Sequence, residues 1–535
     1  MIYRYFAKMG LSLRLNRFIQ KKMNSKFKLM IVCSVLIGTS EGCIFLKKKV
    51  FRPKPNIVVF LADDLGYGDL ACYGNPIIKT PNIDKLSGEG VRLTDCHSGG
   101  TVCSPSRAAL LTGRNPYRSG FYTILGENTY LDSQEVTIPE VLRTCGYESC
   151  FVGKWHLSVL EKDKKNEPGP GDQGFDYWMG TTHNPFDGPA NTKKFIRNGI
   201  PVGQVNGWYC DVIVDEASKW LNEKRDKTKP FFLYVASHEP HTPISPTKKY
   251  SDMYNSHKTD SLEKTINYGY VNRPERDISA NKKEYYGTVS QLDNAVGRLL
   301  HTIDSSGLRE NTIIFLTSDN GPETPVTADE SRGEWDDPLR DKCFGSPGIY
   351  RGMKRYVYEG GHRIPGIVRY PGVIPAGTTS NELFDGTDLF PTICNMVGVP
   401  LPEGITYDGV ANFNAFLNKK TDRKIPNIWF YPHYEDTYFR LPEMEMRSGD
   451  YTLIGWLPPK SDSFKLDSWF FKYGPVKYEL YDLSSDPCQQ KDLAGEKPEI
   501  VNSMSGRMEK LWVEMRDEGK RAHLLPNQAY PGGHK

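Results

Sequence analysis

Three apolar segments that end in polar side chains constrain the fold of this chain more than any other feature. They comprise residues 56–62, 231–237 and 312–318, and they run into Asp63-Asp64, His238 and Asp319-Asn320, respectively. Segments that are apolar at nearly every position are typical of strands buried on both faces, as in a parallel sheet covered by helices. Because ligands of such sheets bind beyond the carboxyl ends of the strands, the sequence predicts that these polar side chains meet at one edge.

The remaining periodicity completes an α/β fold. Apolar residues recur every three or four positions between Val289 and Ile303, which predicts a helix packed on the sheet. Beyond about residue 400, short aromatic segments alternate with Pro, Gly and Ser, which is typical of a small antiparallel sheet. Residues 499–518 are predicted to form a helix that covers it. We therefore predict a large, mostly parallel, doubly wound sheet sandwiched by helices, followed by a small antiparallel sheet with one helix.

Charge is distributed unevenly along the chain. Residues 1–55 contain thirteen Lys and Arg against one acid, Glu41, so that a net charge of +12 lies there and −9 on the rest, for a total of +3. A mildly acidic body lacks the basic surface that binds nucleic acid, and this class of function is excluded.

The basic segment has the layout of a secretory signal. Lys26 and Lys28 precede the apolar run 29–37, which is too short to span a bilayer, and small residues follow it. We therefore predict export, to the periplasm or the cell surface. Cys43 after Gly42 is compatible with the cleavage and lipidation of a lipoprotein, although the two residues before Gly42 fit that site poorly. Plain cleavage and a lipid anchor both stay open.

The cysteines other than Cys33, Cys43 and Cys103 form no CxxC pair and have no zinc-site spacing. They number eight, and they are Cys72, Cys96, Cys145, Cys150, Cys210, Cys343, Cys394 and Cys488. An even number in an exported chain permits disulfides, and buried free thiols are the alternative.

Residues 103–114, CSPSRAALLTGR, form the most informative motif. Pro105 suits the first turn of a helix and residues 108–111 continue it, which predicts Cys103 at a helix N-terminus, an end that favours anionic groups. Arg107 is expected on the same face and within reach of the Cys103 side chain. A buried cysteine at the start of a helix is the purely structural alternative.

This motif resembles the signature of the formylglycine-dependent (type I, arylsulfatase-like) sulfatases. Further segments resemble other family motifs in the expected order. Asp63-Asp64 and Asp319-Asn320-Gly321 resemble the metal pairs of the family, and residues 146–156, with Lys154 and His156, resemble its second signature. Residues 351–354 and 359–363, with Lys354 and Arg363, resemble its later lysine segment, and residues 481–493 resemble its C-terminal ending. The resemblance runs from about Pro55 to Ala494 and implies the alkaline-phosphatase-like fold. The signal-like leader and the change of sequence pattern near residue 400 divide the chain into a leader (1–50), a catalytic domain (51–400) and a C-terminal subdomain (401–535). The stretch 245–283 is polar and weakly periodic, which predicts a surface insertion.

The resemblance implies two cofactors. Cys103 would be oxidised after translation to formylglycine by a maturation enzyme, which is thus an implied partner. Asp63, Asp64, Asp319 and Asn320 offer only oxygen donors, a set that suits a hard cation such as calcium better than zinc, and the family pattern adds the modified Cys103 as a ligand.

The implied mechanism is covalent. One hydroxyl of the hydrated formylglycine attacks sulfur and the alcohol departs, and deprotonation of the other hydroxyl then expels sulfate. Lys154, Lys354 and Arg107 supply positive charge for the sulfate oxygens, as in phosphoryl transfer. We expect His238 to protonate the leaving oxygen and His156 to deprotonate the second hydroxyl.

Substrate contacts are expected from His241, which follows His238 in the same segment, from His183 in the loop 181–184, and from Arg363. Export and the aromatic C-terminal segments favour a sulfated carbohydrate, of the galactose or N-acetylgalactosamine type. One alternative is a phosphomonoester or phosphonate-ester hydrolase of the same fold, against which the intact Cys-x-Pro-x-Arg motif counts. Another is a non-catalytic carbohydrate-binding surface protein, which would be expected to have lost some of these residues.

Overall fold

A computed structural model describes residues 53–125, 130–161, 167–255, 279–323, 342–431, 443–459 and 472–519. The strands are β1 (Asn56–Asp63), β2 (Val91–Leu93), β3 (Cys96–His97), β4 (Glu148–Lys154), β5 (Tyr177–Thr181), β6 (Ile196–Arg197), β7 (Ile200–Pro201), β8 (Phe231–Pro240), β9 (Thr312–Ser318), β10 (Gly366–Arg369), β11 (Thr378–Ser380), β12 (Phe384–Asp385), β13 (Asn427–Phe430), β14 (Met444–Ser448), β15 (Tyr451–Trp456) and β16 (Lys477–Asp482). The α-helices are α1 (Pro81–Gly88), α2 (Cys103–Thr112), α3 (Ile138–Thr144), α4 (Tyr209–Lys219), α5 (Lys248–Ser251), α6 (Ser279–Ser305), α7 (Glu359–His362), α8 (Leu389–Val397) and α9 (Pro498–Gly519).

The large sheet has ten strands in the order β11-β2-β10-β9-β1-β8-β4-β5-β6-β7. Its central strands β9, β1, β8, β4 and β5 are parallel, whereas β10 and β6 pair antiparallel with their neighbours. The three apolar segments are thus adjacent strands, with β1 between β8 and β9. Their carboxyl ends lie side by side, which confirms the predicted meeting of polar residues at one edge.

The sheet separates two hydrophobic cores, because successive side chains of a strand point to opposite faces. Val58 and Phe60 of β1 pack in one core with α1, α4 and α6, and Ile57 and Val59 pack in the other with α2, α3 and α8. Every residue of β1 is buried, as its unbroken apolar sequence predicts. The α/β class with helices on both faces is therefore confirmed.

The C-terminal residues form the predicted antiparallel sheet, in the order β13-β14-β15-β16. Helix α9 covers it, and Trp512 packs against Phe430 with ring centroids 4.6 Å apart. Tyr117, from the segment after α2, also packs against Phe430, edge to face, with ring centroids 4.9 Å apart. This small sheet therefore shares its core with the main body of the fold.

Two expectations meet the structure less completely. Helix α6 begins at Ser279, ten residues before the periodic segment that predicted it. The apolar period did not reveal the first turns because they are mostly polar. Most of the predicted insertion, residues 256–278, lies outside the described residues, as does the leader.

The nine cysteines of the described residues are all free thiols, so the structure agrees with the alternative of free thiols and not with that of disulfides. Among the described helices, none has the length and apolarity to cross a membrane.

Candidate active site

Two pairs of polar residues meet where β1 and β9 end. Asp63 is the last residue of β1, and Asp64 follows it with a φ of 63°, an uncommon left-handed conformation for a residue other than glycine. This turn brings the Asp64 amide to within 3.2 Å of Asp319 Oδ1, at the end of the neighbouring strand. The Asn320 amide in turn donates to Asp64 Oδ1 over 2.6 Å. All four residues are buried.

Three cationic side chains each hold one of these acids. Lys154 Nζ lies 2.5 Å from Asp63 Oδ2. Lys354 Nζ lies 2.8 Å from Asp64 Oδ2. Arg107 donates two hydrogen bonds to Asp319 Oδ2, over 2.9 Å from Nε and 2.6 Å from Nη2. The charges therefore compensate one another in an environment from which solvent is excluded.

Cys103 is the first residue of α2 and is buried beside this group. Burial raises the pKa of its thiol, although Lys154 and Lys354 act in the opposite direction. A thiol with a raised pKa stays protonated at neutral pH and is a poor nucleophile. Arg107, which was expected to reach Cys103, instead donates to Asp319 and, over 2.7 Å, to the Lys154 carbonyl. The carboxylate of Asp319, which follows β9, is a stronger hydrogen-bond acceptor than the neutral thiol of Cys103.

Two oxygens of the cluster have no hydrogen-bond partner among the described residues, Oδ1 of Asp63 and Oδ1 of Asn320. A buried polar atom without a partner is destabilising by about 1–3 kcal/mol. Both atoms are hard oxygen donors of the kind that calcium prefers. Asp63, Asp64 and His241 also place ligand atoms within 4.8 Å of one another. The residues present therefore fit a hard divalent cation.

The acids differ in the ease with which they ionise. Burial raises the pKa of Asp63, but Lys154, His241 and Arg107 outweigh it, and the net pKa is well below the usual range. Burial raises the pKa of Asp64 to about 6. Burial and the negative charge of Asp63 raise that of Asp319 to about 7. A divalent cation among them would favour the ionised form of all three.

His238 lies at the end of β8 with both ring nitrogens in contact. Its Nε2 is 3.2 Å from the carbonyl oxygen of Pro243, which can only accept, so Nε2 carries the proton. Its Nδ1 accepts from the Asn184 amide over 3.0 Å. The same amide lies 3.2 Å from Asp63 Oδ2. His238 is thus fully buried, and both of its ring nitrogens are hydrogen-bonded to groups of the protein.

His241 is arranged differently. Its Nδ1 lies 2.5 Å from the Thr242 carbonyl oxygen, which leaves the proton on Nδ1 in the neutral ring. Its Nε2 lies 3.5 Å from Asp64 Oδ2, and the side chain is 12% exposed, against none for the His238 residue. Burial and then Lys354 lower the pKa of His241 to about 3. Of the two histidines, His241 is the one with a ring nitrogen turned to the acids and a path to solvent.

The other two predicted histidines, His156 and His183, lie together and close to Lys154. His156 follows β4 with a φ of 57°, its Nδ1 has no hydrogen-bond partner among the described residues, and burial lowers its pKa well below the usual range. His183 is half-buried, with its ring centroid 5.3 Å from that of His156. Burial lowers the pKa of His183 to about 4.

Sequence reasoning did not assign a role to two residues of the site. Asn184 was recognised only as part of a loop that meets substrate, yet it joins Asp63 to His238. Glu323 lies 3.3 Å from Lys354 Nζ and also pairs with Arg355. Its position four residues after Asp319 was the available signal.

Arg363 is the predicted site residue that the structure places elsewhere. Its guanidinium pairs with Glu359 and Asp95 and donates to the Thr94 carbonyl. These contacts belong to a buried cluster near the C-terminal sheet. The substrate contact expected of Arg363 stays a prediction.

Comparisons with known proteins agree with this geometry. The sequence model of the Sulfatase family matches residues 55–399, and that of the C-terminal part of N-sulphoglucosamine sulphohydrolase matches residues 348–514. Arylsulfatase A of Homo sapiens is 32% identical over 506 residues, which cover 88% of this chain and 89% of the relative. N-acetylgalactosamine-6-O-sulfatase of Bacteroides thetaiotaomicron is 29% identical, with 85% and 93% covered.

Solved structures agree in fold. A protein crystallised with k-i-k-neocarrahexaose superimposes with a TM-score of 0.68 at 24% identity, covering 88% of this chain and 95% of that one. A likeness at this identity speaks for the fold alone, which is the expected alkaline-phosphatase-like one. The family model and the human relative go further, since they span the strand ends and the Cys103 motif. The chain belongs to the sulfatase family, the type I sulfatases of the alkaline phosphatase superfamily, and is a sulfuric ester hydrolase.

Proposed function

We propose that this chain hydrolyses sulfate monoesters with a nucleophile made from Cys103 and a calcium ion bound by Asp63, Asp64, Asp319 and Asn320. The supporting observation is the pair of unpartnered oxygens, on Asp63 and Asn320, in a buried cluster beside a neutral thiol. Formylglycine, once hydrated, would supply one hydroxyl to attack sulfur and a second whose deprotonation releases sulfate. Calcium would supply positive charge.

Two buried lysines bind the sulfate group in this proposal, and a buried arginine positions one of the acids. Lys154 and Lys354 are buried ammonium groups on either side of the acids, and Arg107 is held in place by Asp319. Their charge stabilises the non-bridging oxygens as negative charge moves onto the leaving oxygen. Because Arg107 is held by two bonds, we assign it to positioning Asp319, whereas the two lysines contact sulfate.

On the basis of these contacts, we propose histidine roles that are the reverse of those expected from the sequence. His238 has both nitrogens bonded within the framework, so we assign it to positioning Asn184 and Asp63. His241 becomes the general acid that protonates the leaving oxygen, because its Nε2 is turned to the site. Its pKa is low in the free protein, and the negative charge of a bound sulfate ester raises it. His156, whose Nδ1 has no partner among the described residues, is the proposed base for sulfate release.

A sulfated carbohydrate is the proposed substrate. Support comes from the relative named N-acetylgalactosamine-6-O-sulfatase, because the alignment with this chain covers 93% of that relative's length. Phe186 adds to it: this side chain is 65% exposed, two residues after Asn184, where a ring can stack on a sugar. A panel of 6-, 4- and 2-sulfated galactose and N-acetylgalactosamine derivatives, assayed for sulfate release, tests this assignment. Turnover of aryl sulfates alone would contradict it.

Export to the periplasm or the cell surface is also proposed, on the basis of the apolar run 29–37 alone. The mass of the mature N-terminus, measured on the protein recovered from the host, tests it. A chain that begins at Met1 or Met23 would contradict export. A diacylglycerol on Cys43 would show the lipid anchor, and an unmodified new terminus would show plain cleavage.

The decisive experiment concerns Cys103. The protein is produced with and without a formylglycine-generating enzyme, and the mass of the Cys103 peptide is compared with the sulfate released. We expect activity to follow the converted fraction and Cys103→Ala to be inactive while folded. Cys145→Ala is the matched control, since Cys145 is half-buried at the end of α3 and away from the site. Full activity of an unconverted chain would refute the proposal.

A further inference from the structure

A second buried cluster lies where α7 meets β3 and the C-terminal sheet. His97 ends β3 and His362 ends α7, and their Nδ1 atoms are 2.9 Å apart. Both residues are buried, with 1% and 0% of their surface exposed. Neither takes part in the site described above, and the sequence singled out neither one.

The other ring nitrogens face oxygen atoms that accept hydrogen bonds. His97 Nε2 is 2.8 Å from Asp95 Oδ1. His362 Nε2 is 2.6 Å from Glu445 Oε2 and 3.1 Å from the Val357 carbonyl oxygen. An ionised carboxylate and a carbonyl can only accept, so each neutral imidazole carries its one proton on Nε2. Arg447 also lies 3.2 Å from His97 Nε2, but it donates to the same Asp95 oxygen over 2.7 Å.

This tautomer leaves one unprotonated nitrogen on each ring, and the two nitrogens are in close contact. Both Nδ1 atoms are then unprotonated, and two acceptors 2.9 Å apart repel each other unless a cation lies between them. The charges around them also call for a cation. Asp95, Glu359 and Glu445 are three acids, and Arg363 and Arg447 are the two guanidinium groups paired with them. With both rings neutral, one negative charge remains, which either a metal ion or a proton on His362 would balance.

Glu359 supplies a third donor. Its Oε2 accepts from Arg363 over 2.6 Å, whereas its Oε1 is buried and has no hydrogen-bond partner among the described residues. Arg447 Nη1 lies 4.0 Å from Oε1, beyond hydrogen-bond distance. Glu359, His97 and His362 place ligand atoms within 4.8 Å of one another. A carboxylate that has one buried, unpartnered oxygen thus lies beside the two histidine rings.

We propose that His97, His362 and Glu359 bind a second metal ion, zinc, at a site distinct from the calcium site. Two nitrogens 2.9 Å apart can both lie about 2.0–2.1 Å from one ion, the usual zinc–nitrogen distance. Two histidines and one glutamate are a known zinc ligand set. Metal-binding histidines usually donate their other N–H to a carboxylate, as His97 does to Asp95 and His362 does to Glu445.

The position of the ion gives it a structural role. Glu445 belongs to β14, and Trp429 of β13 stacks on the His362 ring, with centroids 3.9 Å apart and planes 13° from parallel. The ion would therefore tie the C-terminal sheet to β3 and α7. Within α7, the Gly361 carbonyl accepts from Gly321, the residue after Asn320. The same ion would hold the backbone behind the calcium site.

Zinc stoichiometry in the full chain tests the proposal. The protein is stripped with dipicolinate, exchanged into excess calcium, given zinc chloride and desalted, and bound zinc is measured by mass spectrometry. We expect stoichiometric zinc in the wild type and in Asp63→Asn, which removes an acid of the other site. We expect Glu359→Gln to lose zinc, and Glu445→Gln to bind it about 10–100-fold more weakly. Added zinc should raise the melting temperature of the wild type but not of Glu359→Gln.

Two results would overturn the zinc site. One is a folded wild type that takes up no zinc. In that case a proton shared by the His97 and His362 rings, and not a metal ion, stabilises their contact. The other is zinc that is lost in Asp63→Asn and kept in Glu359→Gln. If the variants of this cluster do not fold, X-ray absorption at the zinc edge of the wild type decides. Two imidazole nitrogens with oxygen support the site, and a sulfur ligand or oxygen alone refutes it.

Discussion

Asn184 donates its side-chain amide to His238 Nδ1 across 3.0 Å, and this contact removes the last free position of that imidazole. A general acid must hold a proton within reach of the leaving oxygen. His238 holds its proton on Nε2, against the Pro243 carbonyl. His241, three residues later, keeps its Nε2 beside Asp64. The proposal therefore gives the two histidines of this segment different roles.

The leaving group distinguishes these duties. His241→Ala should lower kcat/KM on a sulfated sugar by about 10²–10⁴-fold, because a sugar alkoxide needs its proton in the transition state. The loss on 4-nitrophenyl sulfate should be much smaller, because nitrophenolate departs without a proton. His238→Ala should lower both activities to a similar extent. A leaving-group dependence that follows His238 instead would restore the assignment made from the sequence.

Calcium binding should depend on Asp319. Asp319→Asn removes one carboxylate of the proposed metal site and the partner of Arg107, and we expect a loss of at least about 10²-fold in kcat. Isothermal titration of the metal-free protein with calcium measures the affinity directly. Glu382→Gln, near the amino end of β12, serves as a control. An Asp319→Asn variant with wild-type calcium affinity would contradict the ligand assignment.

The stability of the fold should respond to the pH through Asp293. This carboxylate of α6 accepts from the Asn82 and Ile83 amides at the start of α1. Burial raises its pKa to about 6, from a model-peptide value of 3.8. The folded chain therefore holds this proton more tightly than the unfolded chain, and the stability contribution declines as the pH rises toward and past 6.

Asp293→Asn provides the comparison, because asparagine stays neutral. Relative to this variant, the wild type should lose about 1–1.5 kcal/mol of unfolding free energy between pH 5 and pH 7.5. Urea denaturation at both pH values, in excess calcium, measures the difference. A gain for the wild type over this interval would show that the carboxylate ionises more readily in the folded chain than in the unfolded one.

Gly153 should be irreplaceable. A Cβ at this position would lie 1.8 Å from the Ala236 carbonyl oxygen, and φ is 116°. Gly153→Ala must therefore push β4 from β8 next to Lys154, and we expect no folded, soluble protein. Gly146→Ala is the control: its φ is 80°, but its Cβ would meet nothing within 4 Å, so backbone strain alone should cost about 1–3 kcal/mol. Similar soluble yields and melting temperatures for both would contradict the steric argument.

The positions of the strand ends could be predicted because they follow from the local pattern of apolar and polar residues. An apolar segment such as 56–62 fixes a buried strand, and the next residue, Asp63, then lies at the sheet edge. Asn184 and Glu323 could not be assigned because they come from loops whose paths depend on the packed fold. Arg363 matched a motif, but its partner Asp95 comes from a distant part of the chain.

The two histidines show the same limit at the scale of atoms. The sequence places His238 at a strand end and His241 three residues later, which identifies both as candidates. The direction of each ring depends on the Pro243 and Thr242 carbonyls and on Asn184. Sequence spacing contains no information on which ring nitrogen is already bonded.

The pairing of Lys154 with Asp63 and of Lys354 with Asp64 has a thermodynamic consequence. In the free protein each ammonium group neutralises an acid that a calcium ion would also use. In the proposed site, entry of the ion would release the lysines from the acids and make their charge available to an incoming anion. Binding of metal and of sulfate ester would then be linked, and because linkage is reciprocal, each ligand would raise the affinity for the other by the same factor. A bound substrate would thus help the enzyme to retain its metal.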